Sequence, residues 1–289
     1  MNTIHSILQS KKKLFSLEVF PAQTPEGHEK LLLTLKDLCA LKPDFISCTY
    51  GAGGGSREKT LDVVEHIQKK YGVPAMAHLT CVLHSRKEIE TILEDMDRRG
   101  IRNILALRGD PPKGQSADAA LTGDLKYSSE LVAFIRSKLG QKVSIGVAGF
   151  PEGHLLAPDK DSDARYLREK VGAGADFVVT QLFFENRLYF EYVERLKKLG
   201  VNVPVLPGIL PITDYAGLKR FCERCGASIP QEVHKIFEPI AGDPARTLEA
   251  GLQFAVKQCR SLLAGGAPGI HLYTLNKLHP SDKILSSIR

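Results

Sequence analysis

Leu14-Phe15-Ser16-Leu17-Glu18 is a short β-like run closed by an ionisable side chain, and the same design returns along the chain. Thr49 closes Phe45-Ile46-Ser47-Cys48-Thr49, His78 lies in Ala75-Met76-Ala77-His78-Leu79-Thr80, and Arg108-Gly109-Asp110 follows Ile104-Leu105-Ala106-Leu107. Further on, Glu152 and His154 follow Ser144-Ile145-Gly146-Val147-Ala148, Gln181 follows Phe177-Val178-Val179-Thr180, and Tyr273 lies in Ile270-His271-Leu272-Tyr273-Thr274-Leu275. In a (β/α)8 barrel the C-terminal ends of all strands open on one face, where such enzymes build their active sites. A reactive group at that end of successive βα units therefore predicts an enzyme on a TIM barrel.

Outside these runs the chain keeps the same rhythm. Strands are expected near 14–20, 45–51, 74–81, 101–108, 143–149, 177–184, 203–210 and 269–275, with Gly or Pro at most junctions. Between them lie helical patterns such as Thr60-Leu61-Val63-Val64-Ile67, Lys87–Arg99, Ser128–Leu139, Asp163–Val171 and Arg187–Leu199. After the seventh strand comes more helix than one unit needs, around Asp214–Cys225, after Pro230 and over Ala245–Ala264, so extra helices are expected before the eighth strand. Eight alternations favour a closed parallel barrel, although periodicity alone also allows a doubly wound sheet. Two longer connections, 111–126 and 151–161, fall on the expected active face, where long loops hold or cover ligands.

The length of 289 residues suits one barrel of about 250 residues with additions, so residues 1–289 are read as a single catalytic domain. Lys and Arg total 39 against 33 for Asp and Glu, but these charges are scattered and the one basic run, Lys11-Lys12-Lys13, is short. That argues for a solvated surface rather than nucleic-acid binding. The N-terminus lacks the apolar core of a signal peptide, and no apolar stretch approaches the roughly 20 residues that span a bilayer, which leads to a cytoplasmic expectation without membrane contact. The six cysteines are irregularly spaced and several fall inside strand or helix patterns, as reduced thiols do.

Some near-motifs fail on inspection. Gly51-Ala52-Gly53-Gly54-Gly55-Ser56 has Ser56 where a dinucleotide fingerprint needs its last glycine, and no acidic residue ends the next strand. It remains a turn able to offer backbone N–H groups to an anion. Gly109 to Ser116 has P-loop spacing, but Gln115 replaces the phosphate-binding lysine. Cys222-Glu223-Arg224-Cys225 has redox or zinc spacing, yet a second ligand pair is missing and the motif lies in an expected helix, so the two are read as core or surface thiols and no metal is expected.

Glu18 is the sharpest single residue. By alternation it shares a face with Ser16 and Phe20, so an aromatic wall is expected beside the carboxyl, and desolvation there would raise its pKa and keep a proton available. A strand-end glutamate is otherwise most often solvated or ion-paired. Glu18 has company, however. Leu17-Glu18-Val19-Phe20-Pro21, Thr49-Tyr50-Gly51-Ala52, Ala77-His78-Leu79-Thr80-Cys81, Ala106-Leu107-Arg108-Gly109-Asp110-Pro111, Phe150-Pro151-Glu152-Gly153-His154, Thr180-Gln181-Leu182-Phe183-Phe184, Pro207-Gly208-Ile209-Leu210-Pro211 and Leu272-Tyr273-Thr274-Leu275-Asn276 occur in that order. Together they closely resemble the methylenetetrahydrofolate reductase family, over nearly the whole chain.

The resemblance implies a barrel that holds non-covalent FAD and works by a ping-pong reaction. NADH or NADPH reduces the flavin and leaves, and 5,10-methylenetetrahydrofolate then accepts hydride to become 5-methyltetrahydrofolate. It assigns Glu18 as the acid that protonates N10 of the folate and Asp110 as the charge near flavin and pterin. For cofactor binding it points to Thr49, Tyr50, Ala52, His78, Arg108, Gly109, Asp110, Tyr127, Ser128, Phe150, His154, Asp163 and Lys170. For substrate it points to Gln181, Phe221, Tyr273 and Lys277. It further implies a homo-oligomer.

The chain departs from the family pattern at a few places. Phe150 stands where many relatives have tyrosine, Tyr166 and Glu169 replace cofactor-facing Asn and Arg, and Gly217 and Lys277 replace folate-contacting Gln and Arg of some members. The sequence leaves no room after the barrel for the regulatory domain of eukaryotic relatives, so no inhibition by adenosylmethionine is expected. Two other readings stay open at this point: a flavin- or folate-binding electron-transfer component served by a protein partner, and a non-flavin pterin-binding barrel enzyme.

Overall fold

Apolar runs that carry Val, Ile, Leu and Ala on both faces suit strands buried between an outer ring of helices and an inner core. The computed structural model describes residues 3–50, 57–110 and 123–289, and in it these runs form one sheet of nine parallel strands. They are β1 (Leu14–Val19), β2 (Phe45–Cys48), β3 (Ala75–Thr80), β4 (Asn103–Leu107), β5 (Ser144–Gly149), β6 (Phe177–Thr180), β7 (Val205–Leu206), β8 (Gly208–Ile209) and β9 (Gly269–Tyr273), in the order β7-β6-β5-β4-β3-β2-β1-β9-β8.

The two ends of that order are one run of chain. Pro207 has no N–H to give to a ladder and so separates β7 from β8. Val205 and Leu206 pair with β6, Gly208 and Ile209 pair with β9, and the Pro207 carbonyl accepts from His271 N at 3.0 Å. The seventh run expected at 203–210 is therefore present in two pieces that face opposite neighbours, and it closes the ring as a (β/α)8 barrel.

Helices α1 (Ile4–Ser10), α2 (Pro25–Ala40), α3 (Arg57–Tyr71), α4 (Arg86–Arg98), α5 (Ser128–Leu139), α6 (Lys160–Gly172) and α7 (Asn186–Lys198) precede the seventh run. The expected surplus then appears as α8 (Tyr215–Cys225), α9 (Gln231–Phe237) and α10 (Pro244–Ala264), and α11 (Ser281–Ile288) follows β9. Local chemistry fixes their starts. Thr24 accepts from Gly27 N ahead of α2, and Ser85 and Glu88 form a reciprocal capping box ahead of α4, where such a cap is worth about 1 kcal/mol.

Outward-facing strand residues such as Leu17, Ile46, Ala77, Ile104 and Val147 pack against Leu35, Val64, Ile92, Leu131 and Leu167 of the surrounding helices. Inside the ring, Phe45, Met76, Leu105, Phe177 and Leu206 fill the lower half. Helix α1 plugs that end with Ile4 and Ile7, each worth about 1.5–3 kcal/mol of burial. It is anchored by Asn103, whose Oδ1 accepts from Ile4 N at 2.7 Å while Nδ2 donates to the Ala75 carbonyl at 3.1 Å. Among the described residues the lower half of the ring is packed shut, which leaves its upper half to a ligand.

Ring closure also depends on a close backbone approach. A Cβ at Gly269 would stand 1.9 Å from the Leu14 carbonyl oxygen, so β1 and β9 can meet only through glycine. Gly269→Ala is expected to cost about 1–3 kcal/mol by overpacking and to lower the thermal midpoint by a few degrees. Calorimetry showing an unshifted midpoint would mean that the two strands part freely there.

Candidate active site

Period-two alternation turns Ser16 and Glu18 of β1 into the upper half of the barrel. The ladder sets Ser16 beside His271 and Glu18 beside Tyr273 on one side, and Glu18 beside Ser47 on the other. The result is a polar nest around one carboxylate. Ser47 Oγ donates to Glu18 Oε2 at 3.2 Å, His271 Nε2 lies 3.3 Å from the same oxygen, and Ser16 Oγ lies 2.8 Å from His271 Nδ1. His78 Nε2 is also 3.3 Å from Glu18 Oε2, but off the axis of a directed hydrogen bond. The backbone beneath is pinned, because Thr274 Oγ1 donates to the Glu18 carbonyl at 2.6 Å.

The rings are held as firmly as the carboxylate. His271 is fully buried, stacked 5.8 Å from Phe45 and edge-on to Tyr273 at 5.5 Å. Tyr273 OH donates to the Thr180 carbonyl at 2.7 Å, and Thr180 Oγ1 accepts from Gly208 N at 2.9 Å, which ties β9 across to β6 and β8. Glu18 itself is 15% exposed.

Burial alone would raise the Glu18 pKa, as the sequence led us to expect. The structure reverses that expectation: the charge of His78 and the hydrogen bond of His271 outweigh desolvation and hold the carboxyl down at about 2. The aromatic wall is also not where alternation put it. Phe20 lies beyond the end of β1 and is 43% exposed, and imidazoles flank Glu18 in its place.

A second, cationic group lies at the upper ends of β4 and β5 and on α6. Lys170 Nζ donates to the Ala148 carbonyl at 3.1 Å and sits 5.8 Å from the Phe150 ring centroid, while Phe150 meets His154 edge-on at 4.7 Å. Arg108 Nε rests on the Gly109 carbonyl at 3.3 Å. Burial pushes Lys170 down to about 8, against the pull of the buried Asp163 and helped by the charge of Arg108. His154 is likewise lowered, first by burial and then by Arg108 and Lys170. Gly109 has φ of +92°, and a Cβ there would lie 2.5 Å from Val82 Cγ1, so this turn requires glycine.

The remaining sequence candidates fall on several elements of the barrel. Thr49 and Tyr50 follow β2, with Tyr50 OH 3.2 Å from His84 Nε2. Ser128 is buried in the first turn of α5, whereas Tyr127 before it is 55% exposed. Asp110 is exposed at the end of β4, and its charge is felt at His154. Gln181 follows β6 and turns Oε1 to its neighbour Leu182 N at 3.0 Å. Phe221 on α8 and Tyr273 both pack against the cluster of Leu182, Phe184, Leu210 and Tyr215. Lys277 is exposed, and Tyr166 and Glu169 lie exposed on α6. Ala52 falls outside the described residues.

Glu18, His78 and Tyr273 are thus brought together, as are Arg108, Phe150, His154, Asp163 and Lys170. The reading from sequence missed His271, Ser16, Ser47, Thr180 and Thr274 as members of the site. His271 was within reach, since it stands two residues before Tyr273 and so shares its face of β9. Among the described residues no cluster of His, Cys, Asp or Glu is arranged to hold a metal ion, and no helix is long and apolar enough to cross a membrane.

The family model for methylenetetrahydrofolate reductase matches residues 3–289. A relative from Arabidopsis thaliana, methylenetetrahydrofolate reductase (NADH) 1, is 38% identical over 285 residues, which is 96% of this chain and 48% of the plant protein. A 5,10-methylenetetrahydrofolate reductase from Salmonella typhimurium is 34% identical over 273 residues, 94% of this chain and 90% of the bacterial protein. The chain thus spans about half the length of the plant relative and most of the bacterial one. A solved protein from Clostridium thermocellum, which binds two copies of 5-methyl-5,6,7,8-tetrahydrofolic acid, superposes with a TM-score of 0.66 over 98% of this chain and 95% of its own. At 15% identity that likeness speaks for the fold alone.

The charge arrangement at Glu18 can be tested without any ligand. Because its folded pKa of about 2 lies below the ordinary 4.5, Glu18 contributes stability that is complete above about 4.5 and is lost as the pH falls toward 2. In His271→Asn, burial would be opposed by His78 and the Ser47 hydroxyl without the second imidazole, so the carboxyl is expected to titrate at higher pH, followed by carbon-13 NMR of glutamate-labelled protein. A titration identical to that of the parent would show that the imidazole does not hold the carboxylate.

Proposed function

This chain belongs to the methylenetetrahydrofolate reductase family, and on that premise we propose that it reduces 5,10-methylenetetrahydrofolate to 5-methyltetrahydrofolate with NADH or NADPH, using FAD held at the upper mouth of the barrel. The observation that carries this reading is the Glu18 carboxylate, partly buried and joined to His271 and Ser47 at the end where the ring opens. Such a group costs several kcal/mol to desolvate and is kept where a reaction uses it.

The cationic group fits a dinucleotide. Arg108 and Lys170 rest on backbone carbonyls, and burial, helped by the charge of Arg108, lowers the proton affinity of Lys170 and His154. A diphosphate supplies counter-charge beyond that of Asp163 and Asp110, through charge-assisted hydrogen bonds. Gly109, at φ of +92° and packed on Val82 and Thr80, fixes the turn that carries Arg108. Arg108, His154 and Lys170 would therefore hold the diphosphate, with Thr49, Tyr50, Ala52, His78, Asp110, Tyr127, Ser128, Phe150 and Asp163 assigned to the rest of FAD by the family pattern. Bound FAD supplies a two-electron carrier between nicotinamide nucleotide and folate.

The chain's own task is the proton. Opening the five-membered ring of the substrate requires N10 to leave as an amine, which leaves poorly until protonated. Glu18 is held ionised, so the proton has to reach it at the moment of use, and His271 is the neighbour placed to deliver it. Its Nε2 faces Glu18 Oε2 and its Nδ1 faces Ser16 Oγ. A proton passed from His271 Nε2 to Glu18 Oε2 leaves the net charge of the pair unchanged, which avoids creating an uncompensated buried charge. Asp110 would then face the cationic iminium with its negative charge. Gln181 has its Oε1 engaged by Leu182 N, so it would offer its amide nitrogen to the pterin. Phe221 and Tyr273 would supply ring faces, and Lys277 a point charge for a carboxylate.

Glu18→Gln keeps the shape of the side chain and removes its acid function. Reduction of the flavin by NADH or NADPH is expected to survive, while reduction of the folate falls by about 10²–10⁴-fold. Anaerobic stopped-flow absorbance separates the two half-reactions, and near-normal folate turnover in this variant would remove Glu18 as the acid.

A further inference from the structure

Of the six cysteines, four are sealed in the core. Burial pushes the Cys39 and Cys259 thiols up to about 12 and Cys81 to about 11, and raises Cys48 further. Such thiols are inert. Cys222 and Cys225 differ, because they lie one turn apart at the end of α8, where Cys225 Sγ donates to the Cys222 carbonyl at 3.8 Å. Cys222 is 3% exposed, whereas Cys225 is the one cysteine that is not buried. An accessible thiol backed by a sheltered one is the arrangement of an attacking and a resolving cysteine.

We propose that Cys222 and Cys225 are a thiol–disulfide exchange site that reacts with small-molecule disulfides of the glutathione type and, once oxidised, reshapes the cleft beside Phe221. The Cys225 thiolate attacks one sulfur of glutathione disulfide, the sulfur–sulfur bond breaks, and one glutathione thiolate leaves. The Cys222 thiol then loses its proton to solvent, its sulfur attacks Cys225 in the mixed disulfide, and the second glutathione departs. Two protein thiols have become one disulfide, and one glutathione disulfide has become two thiols.

The surroundings suit both steps. On the Cys222 side of the pair lies an open cleft of about 480 Å³ lined by Lys219, Cys222, Glu223, Ser228 and His234, where the second glutathione can depart past a cation. The neighbouring Cys222 side chain lowers the Cys225 thiol, outweighing burial and the opposing charge of Glu152.

The consequence follows from helix geometry. Cβ atoms three residues apart on a helix are about 5–6 Å apart, but a disulfide needs about 3.5–4.5 Å, so oxidation must tighten the last turn of α8. Phe221 is the residue before Cys222 and moves with that turn. Gly226, with φ of +76° and its N–H on the Cys222 carbonyl at 2.8 Å, is the hinge that follows. Beyond it Ser228 N and Oγ donate to Glu152 at 3.1 and 2.5 Å, so the loop that carries His154 is pulled as well. The exchange chemistry stands apart from the proposed reaction, and only its kinetic effect rests on that reading.

The test uses the intact flavin-loaded protein in buffers of graded oxidised-to-reduced glutathione, followed by alkylation of free thiols and peptide mass mapping. A disulfide joining Cys222 and Cys225 is expected, reversed by dithiothreitol, with a several-fold rise in the folate KM and little change in kcat. Cys222→Ser should stop at a glutathionyl adduct on Cys225, and Cys225→Ser should form neither product, both keeping the KM of the reduced protein. Absence of that disulfide, or oxidation spread evenly over all six cysteines, would overturn the site. A disulfide that leaves KM unchanged would overturn its coupling to the cleft. Mass mapping reports on the thiols even in a protein that turns over no folate, so failure of the functional reading is seen separately.

Discussion

A carboxylate inside a barrel is costly unless opposite charge and hydrogen bonds meet it there, and the upper half of this molecule is organised around meeting that cost at Glu18. Ser47 comes from β2, His78 from β3, His271 from β9 and the Thr274 hydroxyl from the turn after β9. These groups converge only if the ring closes in the observed register, because a one-residue slip of any strand would turn its side chain outward. Closure in turn depends on Pro207 dividing its run between two neighbours and on Gly269 letting β9 approach β1. The packed lower half and the plug of α1 then leave the upper mouth as the working end.

Two electrostatic centres of opposite character share that mouth. One is the carboxylate whose proton affinity is lowered by neighbouring imidazoles, and the other holds Lys170 and His154, whose proton affinity is lowered by burial and by neighbouring positive charge. The first suits a step in which a proton must be moved and the second suits a diphosphate. A site that binds a charged cofactor and still passes a proton to a substrate needs the two kept apart, and the barrel does this by drawing them from different strands. The thiol pair lies on α8, and Cys225, Phe221 and Tyr273 pack on one apolar cluster.

Much of this was legible in the sequence. Period-two runs closed by reactive residues gave the barrel, and the surplus of helix before the last strand is present as α8, α9 and α10. Glu18, His78 and Tyr273 could be singled out because each ends or nearly ends its run. Helix α1 escaped notice because seven residues are too few for a helical period to show. The division at Pro207 escaped because nothing local says that the halves of one run pair with different partners. The protonation of Glu18 could not be read at all: local alternation suggested an apolar neighbour, while the decisive contact is with a histidine 253 positions away. Sequence patterns report which way a side chain points, and its pKa is set by what the fold brings opposite it.

The most direct measurement of the central claim is an anaerobic absorbance spectrum of the purified protein before and after NADH or NADPH, and again after 5,10-methylenetetrahydrofolate. Flavin bands that bleach with the nucleotide and return with the folate are the predicted result. A protein that stays colourless after FAD is supplied, or whose bleached flavin ignores the folate, would contradict the account.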